Sequence, residues 1–332
     1  DSFIVFNPLG FVRDEIVTVD LPEGWENANL YDGDKLVSTQ LSHDGKLLFY
    51  GKALPSKGYK VFSGKKAPLK QVHTDTVFHQ GCEERHVIKP GTKGNLLQVF
   101  EDKPMDFDAW NLEGYYKEKS WEIEDVTEIK LIENGPVRTG IQITRNFLHS
   151  TIEQIIFWYA DIDRMDFSTK IDWKEKQLFL KAGFPVEINS DKAVYDIQFG
   201  NVERPTHWNT SWDLARFEVC AHKWADLSEG GYGVALLNDC KYGYDIKDSV
   251  MRISLLKSGI YPNPDADKEV HEFTYSLYPH AGNFKDGKVD QMGYRINCPV
   301  YTVFSNPHDG NLPGEMSLVS IDCENVFLDT VK

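Results

Sequence analysis

Residues 203–229, ERPTHWNTSWDLARFEVCAHKWADLSE, gather three tryptophans, two histidines and two arginines among several carboxylates. Rings that pack on the C–H face of a pyranose, beside forked donors and carboxylates that take its hydroxyls, are the chemistry of a sugar-binding surface. The same composition would serve a buried aromatic corner whose polar atoms pair internally, and the residues alone leave both readings open. A second stretch, Asp106-Phe107-Asp108-Ala109-Trp110-Asn111-Leu112-Glu113-Gly114-Tyr115-Tyr116, mixes carboxylates and rings in the same way. It could set an acid and a base about a sugar's width apart, or form a loop whose aspartates cap turns.

Other chemistry is hard to find. Gly230-Gly231-Tyr232-Gly233 has no Lys-Ser/Thr after it and is not a phosphate loop. Gly-x-Ser-x-Gly and His-Glu-x-x-His are absent. His73-Thr74-Asp75 places two metal-ligand types on one side of a strand, but no second pair accompanies it, so no zinc site is expected there. His207, His222, His271 and His280, taken singly, are expected to be structural.

The elements that must carry these residues read as strands. Phe167, Thr169, Ile171 and Trp173 alternate with Asp166, Ser168, Lys170 and Asp172, the period of a half-buried antiparallel strand. Val137–Thr144, Gln154–Tyr159, the Met251/Ile253/Leu255 run and the Phe273/Tyr275/Leu277 run read alike, and Leu318–Leu328 also looks like strand material. Asp32-Gly33 and Asp44-Gly45 are hairpin dipeptides. No segment offers a convincing long amphipathic helix. The expected fold class is all-β, with antiparallel β-sandwiches: a small one over residues 1–66, a lysine-rich link at 64–68, and a larger one over 67–332.

The 332 residues are 41% hydrophobic and 26% charged, an ordinary globular balance. A formal charge of −15 argues against nucleic acid or an anionic membrane surface as partner. No apolar run approaches a membrane span and no signal peptide opens the chain. Five cysteines, Cys82, Cys220, Cys240, Cys298 and Cys323, are widely spaced without Cys-x-x-Cys, which favours free thiols and a cytoplasmic location. The chain begins Asp1-Ser2-Phe3 without methionine, as a processed terminus or a piece of a longer protein would.

The run from Arg204-Pro205-Thr206-His207-Trp208-Asn209-Thr210-Ser211-Trp212-Asp213 through Arg216, His222-Lys223-Trp224-Ala225-Asp226 and Asn238-Asp239-Cys240-Lys241-Tyr242-Gly243 resembles the C-terminal half of glycoside hydrolase family 38 α-mannosidases. His271-Glu272-Phe273-Thr274-Tyr275, Tyr278-Pro279-His280, Asp108-Ala109-Trp110-Asn111 and the opening Val5-Phe6-Asn7-Pro8-Leu9 fit as well, closest to the cytosolic and bacterial branch. The resemblance implies that the larger sandwich is a supersandwich like that of galactose mutarotase. It implies a retaining, zinc-dependent exo-α-mannosidase whose zinc, nucleophile and acid/base lie in an N-terminal α/β domain outside this sequence. This chain would then hold no catalytic residue and no metal of its own. It would dock on that domain, its main partner, and help position an α-mannoside or oligosaccharide; homo-oligomers are compatible. The residues expected on the docking and substrate-rim face are Asp108, Trp110, Asn111, Arg204, His207, Asn209, Trp212, Asp213 and Arg216. Two rival functions stand beside this one: an independent carbohydrate-binding module using the same rings, and a mutarotase-like epimerase using a histidine with a carboxylate.

Overall fold

The computed structural model describes residues 1–68, 86–323 and 325–331. His73-Thr74-Asp75 and Cys82 lie outside them. The architecture is all-β, antiparallel throughout its ladders. A nine-stranded sheet runs from Val126–Asn134 through Arg138–Phe147, Ser150–Tyr159, Met165–Asp172, Val270–Ala281, Tyr232–Asn238, Trp224–Glu229 and Lys192–Ile197 to Gly200–Pro205. A six-stranded sheet, Val219–Cys220, Gly243–Lys247, Val250–Ser258, Leu178–Pro185, Leu96–Glu101 and Ser120–Glu122, packs face to face with it.

The alternation read in the sequence decides which side chains meet between these sheets. Phe167, Ile171 and Trp173 from one sheet join Leu180, Ala182, Phe184, Met251 and Ile253 from the other in a single apolar core. Burial of each of the larger aliphatic and phenyl side chains among these contributes about 1.5–3 kcal/mol. Gln154 sits inside this core without penalty because its amide donates to Tyr275 Oη at 2.7 Å and Thr169 Oγ1 at 3.0 Å.

The expected polar side of Met165–Asp172 needs correction at Asp166. Its carboxylate is buried, taking Arg164 Nε at 2.7 Å, Tyr159 Oη at 2.6 Å and Ser276 Oγ at 2.6 Å. The Asp166 end of that face is not left to solvent, because the helix Val289–Asn297 lies against the nine-stranded sheet, whereas Lys170 further along is exposed. Val289 and Met292 pack there with Phe157, Tyr159, Ile162 and Trp224. Nine residues are too few to show a persuasive helical period, so the sequence did not announce it. Gly293 permits the close approach, since a Cβ there would stand 2.9 Å from Trp224 Cδ1.

The first residues form a smaller pair of sheets around Phe3, Val5, Leu30, Phe49 and Phe62. Gly58–Lys66 keeps pairing through Gly64, Lys65 and Lys66 with Ala28–Leu30, so the lysine-rich link begins as strand. Tyr301–Ser305 pairs along Ser2–Asn7, and Glu315–Ser317 along Gly58–Lys66, returning the end of the chain to its start. Leu318–Leu328 is not a strand among its described residues; the ladder stops at Ser317.

Gln40 joins the two bodies. Its Oε1 accepts from Val137 N at 3.0 Å and Arg138 N at 2.9 Å, while Nε2 donates to Arg138 O at 2.9 Å. A Cβ at Gly135 would fall 2.4 Å from Gln40 Cδ, so only glycine leaves room for the contact. Among the described residues no helix is long and apolar enough to cross a membrane.

Candidate functional site: a charged sheet face under two aromatic loops

Leu180, Ala182 and Phe184 turn into the core, which sends Phe179, Lys181 and Gly183 to the outer face of the six-stranded sheet. Lys181 lies beside Gln98 on one neighbour and Ser254 on the other, just past a register shift that leaves Leu255 unmatched. Arg252 and Asp245 pair on the next two strands. A row of polar side chains therefore crosses the sheet by period-2 geometry alone.

The row is roofed. Segments 102–119 and 206–219 meet above it, where the Tyr116 ring lies 6.2 Å from Phe217 and both pack with Phe100 and Phe179. Lys117 Nζ sits 4.2 Å above the Trp208 ring, and Lys247 Nζ stands 4.2 Å from the same ring. The second segment is shaped by a one-turn helix, Ser211–Leu214, capped by Thr210, whose Oγ1 accepts from Asp213 N at 3.2 Å and donates to Asp213 Oδ2 at 2.8 Å.

Roofing makes the charges buried ones. The Lys181 side chain is 0% exposed, and Nζ donates to Glu218 Oε2 and Asp245 Oδ2 at 2.5 Å each. Arg252 Nη1 donates to Asp245 Oδ1 at 3.1 Å and Nε to Gln98 Oε1 at 2.9 Å. Ser254 Oγ donates to Glu218 Oε1. Burial pushes the Asp245 carboxyl up, but Lys181, Lys117 and Arg252 outweigh it and hold it below the usual range. Burial, with Glu218 and Asp245 nearby, drives the Tyr116 phenol well above its ordinary value. Burial brings the Lys117 ammonium down to about 8, against the opposing pull of Asp245 3.8 Å away.

The nine residues singled out in the sequence fall into three places. Arg204, with Cζ 4.7 Å over the Tyr195 ring, and Arg216 line a crevice with Trp208, Phe217 and Asp245. Burial lowers the Arg204 guanidinium, and its buried Nη1 has no hydrogen-bond partner. The crevice offers about 10 Å³, room for one water and not for a sugar. His207, Asn209, Trp212 and Asp213 belong to the capped turn, with Asp213 3.7 Å from His207 Nδ1 and 3.8 Å from Arg216 Nη1. Asp108, Trp110 and Asn111 belong to the other segment, where Asp108 Oδ2 accepts from Ile260 N and from Tyr261 N, the latter at 3.1 Å. Asp108 is thus a loop anchor, whereas Trp110 and Trp212 stand 70% and 76% exposed.

The sequence reading passed over Lys181, Glu218, Asp245, Arg252 and Lys117. The available signal was Leu178–Pro185 itself: a lysine at an outward position of an otherwise apolar strand needs a covered partner. Among the described residues, Asp267, Glu269 and His271 form the one group able to share a cation. His271 Nε2 lies 2.8 Å from Asp267 O, and Asp267 and Glu269 are both exposed.

Fold and site together define a sheet-on-sheet β module that presents a ring-bearing face. Residues 76–265 match the C-terminal domain of glycosyl hydrolases family 38, and the chain belongs to that family. Alpha-mannosidase G of Dictyostelium discoideum is 41% identical over 257 residues, 75% of this chain and 23% of that protein. Alpha-mannosidase 2C1 of Homo sapiens is 39% identical over 254 residues, 75% of this chain and 24% of that protein. The chain spans about a quarter of the length of these curated relatives. The crystal structure of an alpha-mannosidase from Enterococcus faecalis V583 shares the fold, with a TM-score of 0.72 over 95% of this chain and 47% of that one, at 16% identity.

Proposed function

We propose that this chain is the supporting β-sandwich portion of a zinc-dependent, retaining α-mannosidase, and that it forms one wall of an active site completed by a separate catalytic domain. The observation that carries this reading is the roofed face. Segments 102–119 and 206–219 meet over the ion pairs of Lys181 with Glu218 and Asp245 and leave Trp110 and Trp212 in solvent. The cluster fixes the loops, and the exposed rings are free to meet a sugar or a neighbouring domain.

In this reading the zinc, the nucleophile and the acid/base reside in the catalytic domain. Asp108, Asn111, Arg204, His207, Asn209, Asp213 and Arg216 position the two loops, and Trp110 and Trp212 make contact. Residues 1–66, with the returning strands Tyr301–Ser305 and Glu315–Ser317, form a small sandwich, and the rest of 67–332 carries the supersandwich. The free thiols of Cys220, Cys240, Cys298 and Cys323 support a cytoplasmic setting.

The test is hydrolysis of an aryl α-mannoside. The isolated chain with added zinc is expected to be inactive, and joined to a family 38 catalytic domain it is expected to raise turnover. Turnover by the chain alone, or a catalytic domain indifferent to its presence, overturns the proposal.

A further inference from the structure

A roomier cavity than that crevice lies away from the roofed face. Between the small sandwich, the turn at 160–164 and residues 278–295 is a space of about 520 Å³. Arg13 and Tyr50 wall it from one body, Tyr278, Lys288, Gln291 and Arg295 from the other. We propose that this junction is a second binding site, for a neutral saccharide of one or two sugar units.

Its size falls within the range of small-molecule sites, and a junction between two packed bodies is where such sites form. Its charge selects the ligand class. Arg13, Lys288 and Arg295 supply three cations, and Asp14, Asp161, Asp163 and Asp286 four carboxylates. A multivalent anion or cation would meet as much repulsion as attraction. Hydroxyls, which donate and accept, suit a wall that offers both roles. The rings of Tyr50 and Tyr278 supply flat apolar surface for C–H faces.

Arg13 gives the independent observation. It is 3% exposed, spends Nη1 on Cys298 O at 2.8 Å, and leaves buried Nε and Nη2 without a hydrogen-bond partner. Two unpaired nitrogens on a buried guanidinium are costly, and a small rearrangement toward a hydroxyl at the cavity wall would satisfy them. The Arg295 guanidinium next to it is held by Glu15 Oε2 at 3.0 Å and by Asp14 O, which keeps the wall preorganised.

The test is calorimetry and NMR shift mapping of this chain with methyl α-mannoside, mannobiose and maltose at millimolar concentration, with inorganic phosphate as the anionic control. At least one saccharide is expected to bind and to shift signals of Tyr50, Tyr278 and the helix Val289–Asn297. Gln291→Trp, which fills the space, is expected to weaken binding about tenfold or more, while Phe199→Ala at an exposed hairpin turn leaves it unchanged. If Gln291→Trp does not fold, the milder pair Asp161→Ala and Lys288→Ala must show the same loss. Absence of saccharide binding, binding that Trp212→Ala removes and the cavity variants spare, or preference for phosphate overturns the proposal. The reading of the roofed face stands or falls separately, since its assay is mannoside hydrolysis.

Discussion

Lys181 Nζ lies 2.5 Å from Asp245 Oδ2 across the outer face of a β-sheet, with no lysine side-chain surface left in water. A lysine so placed is held by its carboxylates and holds them in turn. Removing it leaves Glu218 without its cation and Asp245 dependent on Arg252 and Lys117 beneath the aromatic roof.

Lys181→Met is therefore expected to destabilise the chain by about 3–5 kcal/mol, the cost of breaking a buried ion pair from one side. Adding Glu218→Gln and Asp245→Asn to Lys181→Met should recover much of the loss. Urea unfolding of the three proteins measures it, and equal stability of Lys181→Met and the parent would show that the cluster is not fixed as described.

Lys117 sets a pH dependence. Burial lowers its folded-state value to about 8, below the unfolded lysine value of 10.5. The unfolded chain binds this proton more tightly, so the group penalises the fold below pH 8 and the penalty fades as pH rises toward 10.5. Stability relative to Lys117→Met should rise through that window and be flat below it. Amine-labelling rates should single out Lys117 near pH 8.

Asp108→Ala removes the acceptor for two backbone amides at Ile260 and Tyr261. A loss of about 1–3 kcal/mol is expected, together with faster proteolysis within 102–113. Asp108→Asn keeps one acceptor oxygen and should fall between the two.

Gln40→Ala leaves the Val137 and Arg138 amides without their shared acceptor at the junction of the two bodies. Calorimetry is expected to show a destabilisation of about 1–3 kcal/mol, or a single transition splitting into two.

Trp110→Ala and Trp212→Ala should each change the stability of this chain by less than about 0.5 kcal/mol, as exposed positions do. In a protein that also carries the catalytic domain, the same changes should raise KM or weaken domain association. Unchanged kinetics would remove these rings from the proposed wall.

The strands were legible because alternation is local: Phe167, Thr169, Ile171 and Trp173 all turned inward. So were the two ring-rich segments, since their composition departs from that of plain loops. Their mutual contact was not, because Tyr116 and Phe217 meet only after two distant strands have placed them. Asp166 defeated the polar-out rule for the same reason: whether its face is wet depends on a helix over 120 residues later in the chain. Both misreadings are failures of period to report on layers stacked above a sheet.

The returning strands at 301–305 and 315–317 also bear on how the molecule is made. A sheet in which Ser2–Asn7 waits some 300 residues for its neighbour on that edge cannot be finished until Tyr301–Ser305 has emerged. The edge of Ser2–Asn7 and the flank of Gly58–Lys66 must wait, exposed, until the larger body between them has emerged. A chain interrupted before residues 301–317 are made leaves behind a sticky, unsealed edge.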